Sequence, residues 1–246
     1  MKKTPKPAPH GSRRDLEHEL AAAGDENRAK TLAWFFKTGK GEYAEGDRFI
    51  GLTVPALRRI ALQYRDLELK DLESLLASPV HEHRAAALEI LVAQFEHGDE
   101  KAREQIVKFY LNQTHRINNW DLVDGSAPYI LGAYLLSRPR EVLDRLASSD
   151  NLWERRIAIV STFAFLKQGS VDDTFRIAER LLADKHDLIH KATGWALREA
   201  GKVCPPALVR FLRKHYDALP RTTLRYAIER FPIDQRKQML GGVFPD

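Results

Sequence analysis

The feature that most constrains the fold is an eight-residue pattern that returns about every 35 residues. Five such windows align without gaps, and each lies in the second of two helical patterns joined by a short connector. The windows begin at residues 84, 119, 155, 190 and 224. Two helices in a repeat of this length are typical of an α-solenoid, in which each unit packs on its neighbours. The sequence therefore predicts an all-α fold with about six helix pairs, the first one or two irregular.

Helical patterns cover most of the chain, and Pro, Gly, Asp or Asn marks the connectors between them. Two of the patterns, at 119–136 and 151–169, run without interruption and predict one helix each. The least helical stretch is the loop 39–51, and Thr53 after it is the predicted N-cap of the next helix, with Pro55 in its first turn. No run alternates apolar and polar residues with period two, so we predict no β-sheet.

Composition indicates a soluble protein of a reducing compartment. Of the 246 residues, 43% are hydrophobic and 30% are charged, which is ordinary for a globular chain. One cysteine cannot form an intrachain disulfide, and no segment resembles a secretory signal or a membrane span. We expect a cytoplasmic monomer, as in a bacterial-type cytosol, with a flexible basic tail at 1–12 and one domain at 13–246. The net charge of +5 is compatible with a nucleic-acid partner but does not establish one.

Positions two and six of the window lie one helical turn apart and therefore share a helix face. This face carries Trp120 and Asp124 in the window at 119, Arg156 in the window at 155, and Lys191 and Trp195 in the window at 190. Arg198 follows one turn after Trp195. Because equivalent helices of a solenoid line one continuous surface, the register predicts a groove with indoles, a carboxylate and cations. Core tryptophans beside ordinary surface salt bridges would give the same pattern, and the residues alone do not separate the two interpretations.

At these windows the chain resembles the AlkD-like family of HEAT-repeat DNA glycosylases. The stretch WDLVD at 120–124 is similar to the W-D-x-x-D motif of that family, and SDNLWERRIAI at 149–159 is similar to its S-D-N-x-W-x-x-R segment. IHKATGWALRE at 189–199 is similar to the segment that carries the second tryptophan of the family. The three motifs occur in the family order, and the resemblance covers residues 16–235.

The resemblance implies a single HEAT-like solenoid that excises N3- and N7-alkylated purines from duplex DNA without flipping the nucleotide. Carried over to the matching positions, it implies that Asp124 is the catalytic carboxylate and that Arg156 binds the phosphate beside the lesion. By the same resemblance, Trp120 and Trp195 pack on the deoxyribose of the lesion. The implied partner is double-stranded DNA that contains alkylated bases, and no membrane is involved.

Two N-terminal positions depart from the family pattern. Phe35 stands where the family has a tyrosine, and Thr53 stands where it has a glutamine, in a longer loop. These positions contact DNA in relatives, so the departures bear on the range of lesions. We expect the DNA to be contacted by Arg156, Lys191, Arg198, Thr53, Arg58, Arg59 and Lys202.

The reaction is chemically consistent with these residue types. An alkylated purine already carries a positive charge, so it leaves without a general acid, through a transition state that resembles a sugar oxocarbenium ion. A nearby carboxylate such as Asp124 stabilises that cation and orients a water molecule. Indole faces attract cations by roughly 0.5–2 kcal/mol each. The sequence therefore predicts hydrolysis with no metal and no cofactor.

Other chemical groups fit less well. A Schiff base on Lys191 would make the enzyme bifunctional, but a phosphate contact suits this residue better. A metal ion would need a third ligand beside His186 and His190, so we interpret both as surface histidines. We also expect His81 and His83, at the start of a helix, to be solvated.

Cys204 precedes two prolines and is interpreted as structural. Asp121 is interpreted as a supporting or capping group, because it points about 100° away from Trp120 on the helix. Two alternative functions stay open. One is a non-catalytic binder of DNA structure on the same scaffold, which does not require Asp124. The other is a protein-binding α-solenoid, which predicts no cluster of Trp, Asp and Arg and no affinity for DNA.

Overall fold

The computed structural model describes residues 11–245 and shows an all-helical fold, as the sequence predicts. Within that range no β-strand forms, and the one isolated bridge joins Arg48 to Val80. None of the described helices combines the length and hydropathy needed to cross a membrane. The chain divides into two compact units, of which the first ends at Ser126 and the second begins at Ala127.

Ser12 caps the first helix. Its hydroxyl accepts a hydrogen bond from the Asp15 N–H at 3.4 Å, and the Asp15 carboxylate accepts one from the Ser12 N–H at 2.6 Å. This reciprocal pair is a capping box, and it explains why the helix begins at Arg13. Of the basic tail expected at 1–12, residues 1–10 lie outside the described residues.

The described part of the first unit contains seven α-helices. They are α1 (Arg13–Ala22), α2 (Glu26–Phe35), α3 (Val54–Ala61), α4 (Leu69–Leu76), α5 (His81–His97), α6 (Glu100–Asn112) and α7 (Trp120–Asp124). Short 3₁₀ turns at Leu62–Tyr64 and Thr114–Arg116 follow α3 and α6. The side chain of Thr53 caps α3 and Pro55 lies in its first turn, so the predicted start of this helix is confirmed.

The second unit opens on a π-helical turn at Pro128–Gly132 and a 3₁₀ turn at Leu135–Ser137. Its described helices are α8 (Glu141–Ala147), α9 (Leu152–Ser161), α10 (Phe163–Leu166), α11 (Asp172–Arg180), α12 (Asp187–Val203), α13 (Pro205–His215), α14 (Arg221–Ala227) and α15 (Ile233–Leu240). A further 3₁₀ turn at Tyr216–Ala218 follows α13.

The helices pack as repeats inside each unit. The paired helices α4 and α5, α8 and α9, and α11 and α12 contact each other. In the first unit α5 also packs on α7, and in the second unit α12 packs on both α9 and α14. These are the helices that carry the aligned windows. Positions seven and eight are both buried in three of the windows, for example Ile90 and Leu91 or Ala196 and Leu197. Position seven is exposed in the other two windows, at Gly125 and Arg230, so the packed side that the register predicts is confirmed only in part.

The single helix predicted for 119–136 is wrong, because the chain breaks there into shorter turns. Helix α7 has five residues, and the π-helical turn begins at Pro128, which has no N–H to donate. The N–H of Gly132 donates to the carbonyl of Ala127, five residues back, at 2.9 Å. A Cβ on Gly132 would lie 2.3 Å from the carbonyl oxygen of Ser161, so the wide turn also accommodates a close backbone contact.

The helical pattern at 151–169 also predicts one helix, where the structure has α9 and α10 divided at Thr162. The hydroxyl of Thr162 donates to the carbonyl of Ile159 at 2.7 Å and competes there with backbone pairing. The last helix, α15, lies beyond the final aligned window and is missing from the prediction. Its pattern is weak, since Met239 is its one buried residue.

The loop predicted at 39–51 is non-helical, and a buried carboxylate fixes its end. Glu82 of α5 is 3% exposed, and its oxygens accept hydrogen bonds from the N–H groups of residues 50–52 at 2.7–3.3 Å. Gly51 has φ of 91°, and a Cβ there would lie 2.1 Å from the carbonyl oxygen of Asp25, so this position requires glycine. The loop is therefore anchored to α5.

Candidate functional site

Helix α7 carries Trp120 and Asp124 one turn apart. Asn119 caps the helix, and its Oδ1 accepts a hydrogen bond from the Trp120 N–H at 2.8 Å. Leu122 and Val123 are buried and fix the inward face of the helix. Trp120 and Asp124 are its first and last residues, and both are half-buried. The spacing predicted for the indole and the carboxylate is therefore confirmed.

Two phenylalanines support the Trp120 indole. Phe36 stacks on it, with ring centroids 5.2 Å apart and planes 20° apart. Phe35 meets it edge-on at 6.0 Å and 74°. Phe35 is 53% exposed, whereas Phe36 is buried. Phe35, which stands where the resemblance expects a tyrosine, thus contacts Trp120. It has no hydroxyl to offer a ligand.

His81 is buried beside these rings, so the expectation that it is solvated is wrong. The residue is 3% exposed, its ring stacks on Phe49 at 4.7 Å, and it lies 5.0 Å from the ring of Phe36. Its Nε2 lies 2.8 Å from Asp121 Oδ2, and its Nδ1 lies 3.6 Å from Asp47 Oδ2. Helical periodicity could not reveal this burial, because the partners come from distant parts of the chain.

The charge of His81 follows from these neighbours. Burial disfavours the imidazolium, but the hydrogen bond to Asp121 and the contact with Asp47 outweigh burial and raise the pKa of His81 to about 9. Arg84 opposes this more weakly, and its Nη2 lies 2.6 Å from Asp47 Oδ2. At neutral pH two cations therefore face two carboxylates, which balances the charges taken out of water.

Asp121 of the WDLVD motif has two hydrogen-bond partners. Asp121 Oδ1 accepts the N–H of Leu122 at 2.9 Å, and its Oδ2 binds His81, which matches the predicted supporting or capping role. Sequence reasoning missed His81, Glu82 and Asp47 as parts of this site. One signal was present: α5 opens with four ionisable residues at 81–84, and the residues that follow are mostly apolar.

A mainly apolar cavity of about 300 Å³ opens beside this cluster, within the first unit. Phe35, Phe36 and Phe49 line it, and Arg58 and Glu89 add charged groups. Arg58, an expected DNA contact, pairs with Glu89 through two hydrogen bonds of 2.9 Å. Its side chain nevertheless stays more than half exposed, so its outer edge faces solvent.

The other expected DNA contacts of the first unit lie on α3 or at its start. The hydroxyl of Thr53 accepts the Ala56 N–H at 3.4 Å in the helix cap, and the residue is exposed. Arg59 is also exposed. Both side chains therefore present polar groups to solvent.

In the second unit, the S-D-N segment caps α9. Asn151 Oδ1 accepts the Trp153 N–H at 2.9 Å, and Ser149 Oγ accepts the Asn151 N–H at 3.1 Å. Trp153 is buried, so the tryptophan of this motif packs in the core. Arg156 is 5% exposed, and its Nη1 donates to the Leu188 carbonyl at 2.8 Å. The structure therefore places this guanidinium largely below the surface.

Helix α12 carries Trp195, whose side chain is half-buried. Phe163 meets the indole edge-on, with centroids 4.4 Å apart and planes 83° apart. A Cβ on the preceding Gly194 would lie 2.5 Å from Cβ of Tyr226 and 2.7 Å from the carbonyl oxygen of Thr223. The close approach of α12 to α14 thus fixes the backbone next to Trp195. A cavity of about 440 Å³ adjoins the indole.

Three expected phosphate-binding cations of the second unit are paired with carboxylates. The pairs are Lys191–Asp187, Arg198–Glu229 and Lys202–Glu199. All three are at least partly exposed, and such pairs contribute about 0–1 kcal/mol each. A polyanion can therefore compete with these carboxylates at small cost.

The remaining residues considered from sequence have local partners. The ring of His186 accepts an N–H at the start of α12 at 3.1 Å, and His190 Nε2 lies 2.6 Å from a backbone carbonyl. Cys204 links α12 to α13. His83 is half-buried, with its Nδ1 3.0 Å from Ser78 Oγ, so it is only partly solvated. Across residues 11–245, no three His, Cys, Asp or Glu side chains cluster as metal ligands.

Comparisons with known proteins agree with this architecture. The sequence model of a family described as DNA alkylation repair enzyme matches residues 16–231. A solved structure described as a predicted DNA alkylation repair enzyme from Enterococcus faecalis has the same fold. Its TM-score is 0.67 at 15% identity, over 85% of this chain and 97% of that one. No curated protein sequence gives a significant match. Because the family model spans most of the chain, the protein belongs to the family of DNA alkylation repair enzymes.

Proposed function

We propose that the protein is a monofunctional DNA glycosylase that hydrolyses the N-glycosidic bond of N3- and N7-alkylated purines in duplex DNA, without flipping the nucleotide. Family membership supports a role in the repair of alkylated DNA. The observation that carries the specific reaction is α7, which places Trp120 and Asp124 one turn apart, both half-buried. We therefore assign Asp124 as the catalytic carboxylate.

The proposed reaction breaks the bond between C1′ and the purine nitrogen. The bonding electron pair stays with the cationic purine, which leaves as a neutral base, and positive charge develops on the deoxyribose. Asp124 stabilises that charge and orients a water molecule. The water oxygen bonds to C1′ and loses a proton, which leaves an abasic deoxyribose. Because the leaving group is already charged, no step requires a metal or a lysine Schiff base.

The other roles are assigned to each unit separately. Trp120 of the first unit and Trp195 of the second are assigned to the deoxyribose, since an indole face attracts a cation by about 0.5–2 kcal/mol. Arg156 is assigned to a phosphate because it matches the arginine of the S-D-N-x-W-x-x-R segment and carries a permanent positive charge. Further DNA contacts are assigned to Lys191, Arg198, Thr53, Arg58, Arg59 and Lys202.

A duplex oligonucleotide with one 7-methylguanine tests the proposal. We expect the wild-type protein to release the free base and leave an abasic site. Asp124→Asn should lower the single-turnover rate by about 10²–10³, the usual effect of losing a preorganised electrostatic group, while duplex binding persists. Asp66→Asn is the matched control, because Asp66 is an exposed carboxylate of the same unit, and it should leave the rate unchanged.

The alternatives give different outcomes in the same assay. Binding without product by the wild-type protein would favour a non-catalytic DNA binder, and neither binding nor product would favour a protein-binding solenoid. Release by Asp124→Asn at the wild-type rate would remove Asp124 from the mechanism. Thermal unfolding of both variants verifies that they are folded.

A further inference from the structure

We propose that His81 is a positioning residue that holds Trp120 and α7 in the geometry needed for base release. The inference rests on the proposed function, and it adds a residue that does not itself touch the substrate. His81 acts by two routes, one through its ring nitrogens and one through its ring faces.

The first route is ionic. Nε2 of His81 lies 2.8 Å from Oδ2 of Asp121, the residue that follows Trp120 on α7. Nδ1 lies 3.6 Å from Oδ2 of Asp47 in the loop before α3. In the protonated ring, Nε2 donates a hydrogen bond to Asp121. The distance from Nδ1 to Asp47 is too long for a hydrogen bond, so the ring attracts this carboxylate through its positive charge. The protonated ring can therefore serve both carboxylates at once and fix α7 relative to the loop.

The second route is aromatic. The ring of His81 stacks on Phe49 at 4.7 Å and lies at 5.0 Å and 34° from Phe36. Phe36 in turn stacks on the Trp120 indole at 5.2 Å. A cation is attracted to the faces of aromatic rings, and the attraction is stronger where water is excluded. Protonated His81 therefore holds the phenyl ring on which the indole rests.

The groups around His81 set the direction of its pH dependence. Asp121 on α7 and Asp47 in the loop favour the charged ring, and Arg84 on α5 together with burial opposes it. The pKa of His81 is raised from 6.5 to about 9, so the ring is protonated at neutral pH. As the pH rises through about 9, the ring loses its proton and both routes weaken.

The experiment measures single-turnover release of 7-methylguanine between pH 6 and 10, with enzyme-free blanks at each pH. The wild-type rate should fall as the pH rises through about 9. His81→Gln should lower the rate at neutral pH by about 10–100-fold, as small misplacements of catalytic groups do, and should lack this high-pH limb. Asp121→Asn should move the limb toward neutral pH. Duplex affinity should change by less than about threefold, because no phosphate contact is removed.

His97→Gln is the matched control, since His97 is exposed at the other end of α5, and its rate and pH profile should equal those of the wild type. If His81→Gln does not fold, Asp121→Asn carries the test, because Asp121 is partly exposed. Absence of release by the wild type would contradict the proposed function itself. Release by the wild type, with the rate and the high-pH limb retained in His81→Gln, would overturn the positioning role alone. A limb that Asp121→Asn leaves in place would also overturn it.

Discussion

The two candidate tryptophans have different kinds of support. Trp120 belongs to a helix of five residues and rests on Phe36, which contacts the buried ring of His81. Trp195 lies within a helix of 17 residues, and Gly194 beside it brings the backbone of α12 close to α14. The first indole is therefore held by side chains from several elements. The second is held mainly by the backbone packing of its helix, together with an edge-on contact from Phe163.

Helix length explains the difference. A helix of five residues forms few internal hydrogen bonds, so α7 depends on the cap from Asn119 and on the bond from Asp121 to His81. Helix α12 satisfies most of its own backbone and buries small residues such as Ala192 and Ala196 against its neighbours. The support of Trp120 should consequently be sensitive to substitutions that change charge. The support of Trp195 should be sensitive to substitutions that change side-chain volume.

Glu82→Ala is expected to have the largest effect on stability, and it acts on the elements that support Trp120. The substitution removes the acceptor for three backbone N–H groups at the end of the loop that carries Asp47 and Phe49. Two of these hydrogen bonds are buried and one is part-buried. Each buried donor left without a partner costs about 1–3 kcal/mol, so the free energy of unfolding should fall by about 2–6 kcal/mol. Urea unfolding measures the change, and base release should fall with it at temperatures where the protein stays folded.

Glu96→Ala is the control for this prediction, because Glu96 lies near the exposed end of the same helix. It should change the free energy of unfolding by less than about 0.5 kcal/mol. Equal effects of the two substitutions would show that the buried carboxylate does not anchor the loop, and the comparison between the two supports would fail.

Gly194→Ala is expected to have a smaller effect on stability, and it acts on the packing that supports Trp195. The added methyl group would meet the backbone of Thr223 and the Cβ of Tyr226, so α12 and α14 must move apart. Overpacking of this kind costs about 1–3 kcal/mol, and calorimetry should show a lower Tm. Gly201→Ala on the same helix is the control. Its methyl group meets only the side chain of Leu208, which can move. A Tm for Gly201→Ala as low as that of Gly194→Ala would contradict this account.

The fold could be predicted from sequence to the extent that it is local or periodic. The 35-residue register located the helices that stack within each unit, and the cap at Thr53 marked the start of α3. The break before Pro128 was missed although the proline itself was visible, because the surrounding residues keep a helical pattern. The wide turn depends on a contact between Gly132 and Ser161 that no local window contains.

The candidate site shows the same limit. The spacing of Trp120 and Asp124 follows from helical geometry and was predicted correctly. The network around His81 joins Asp47, His81 and Asp121, and only folding brings these positions together. The ion pair of Lys191 with Asp187 is visible in the sequence, because the two residues stand four apart on one helix. The pair of Arg198 with Glu229 is not, because folding alone brings these two positions together.

The smallest expected effect concerns the cations near the second tryptophan, and it tests whether their ion pairs yield to DNA. Lys191→Gln should weaken binding of duplex DNA about threefold to tenfold and reduce the slope of log K against log salt by about 1. Asp187→Asn should have the opposite effect on affinity, because it removes the carboxylate that lies 2.7 Å from the ammonium group.

Lys214→Gln separates this prediction from a general loss of charge. Lys214 also pairs with a carboxylate of the second unit, Glu179, but it lies on α13, outside the aligned windows. The same change of net charge should therefore leave the salt slope unaltered. A slope reduced equally by both substitutions would mean that DNA responds to the total charge of the unit. A slope reduced only by Lys191→Gln would mean that the face of α12 that carries Trp195 contacts the phosphate backbone of DNA. Helix α7 differs, because its contribution depends on the buried charge of His81.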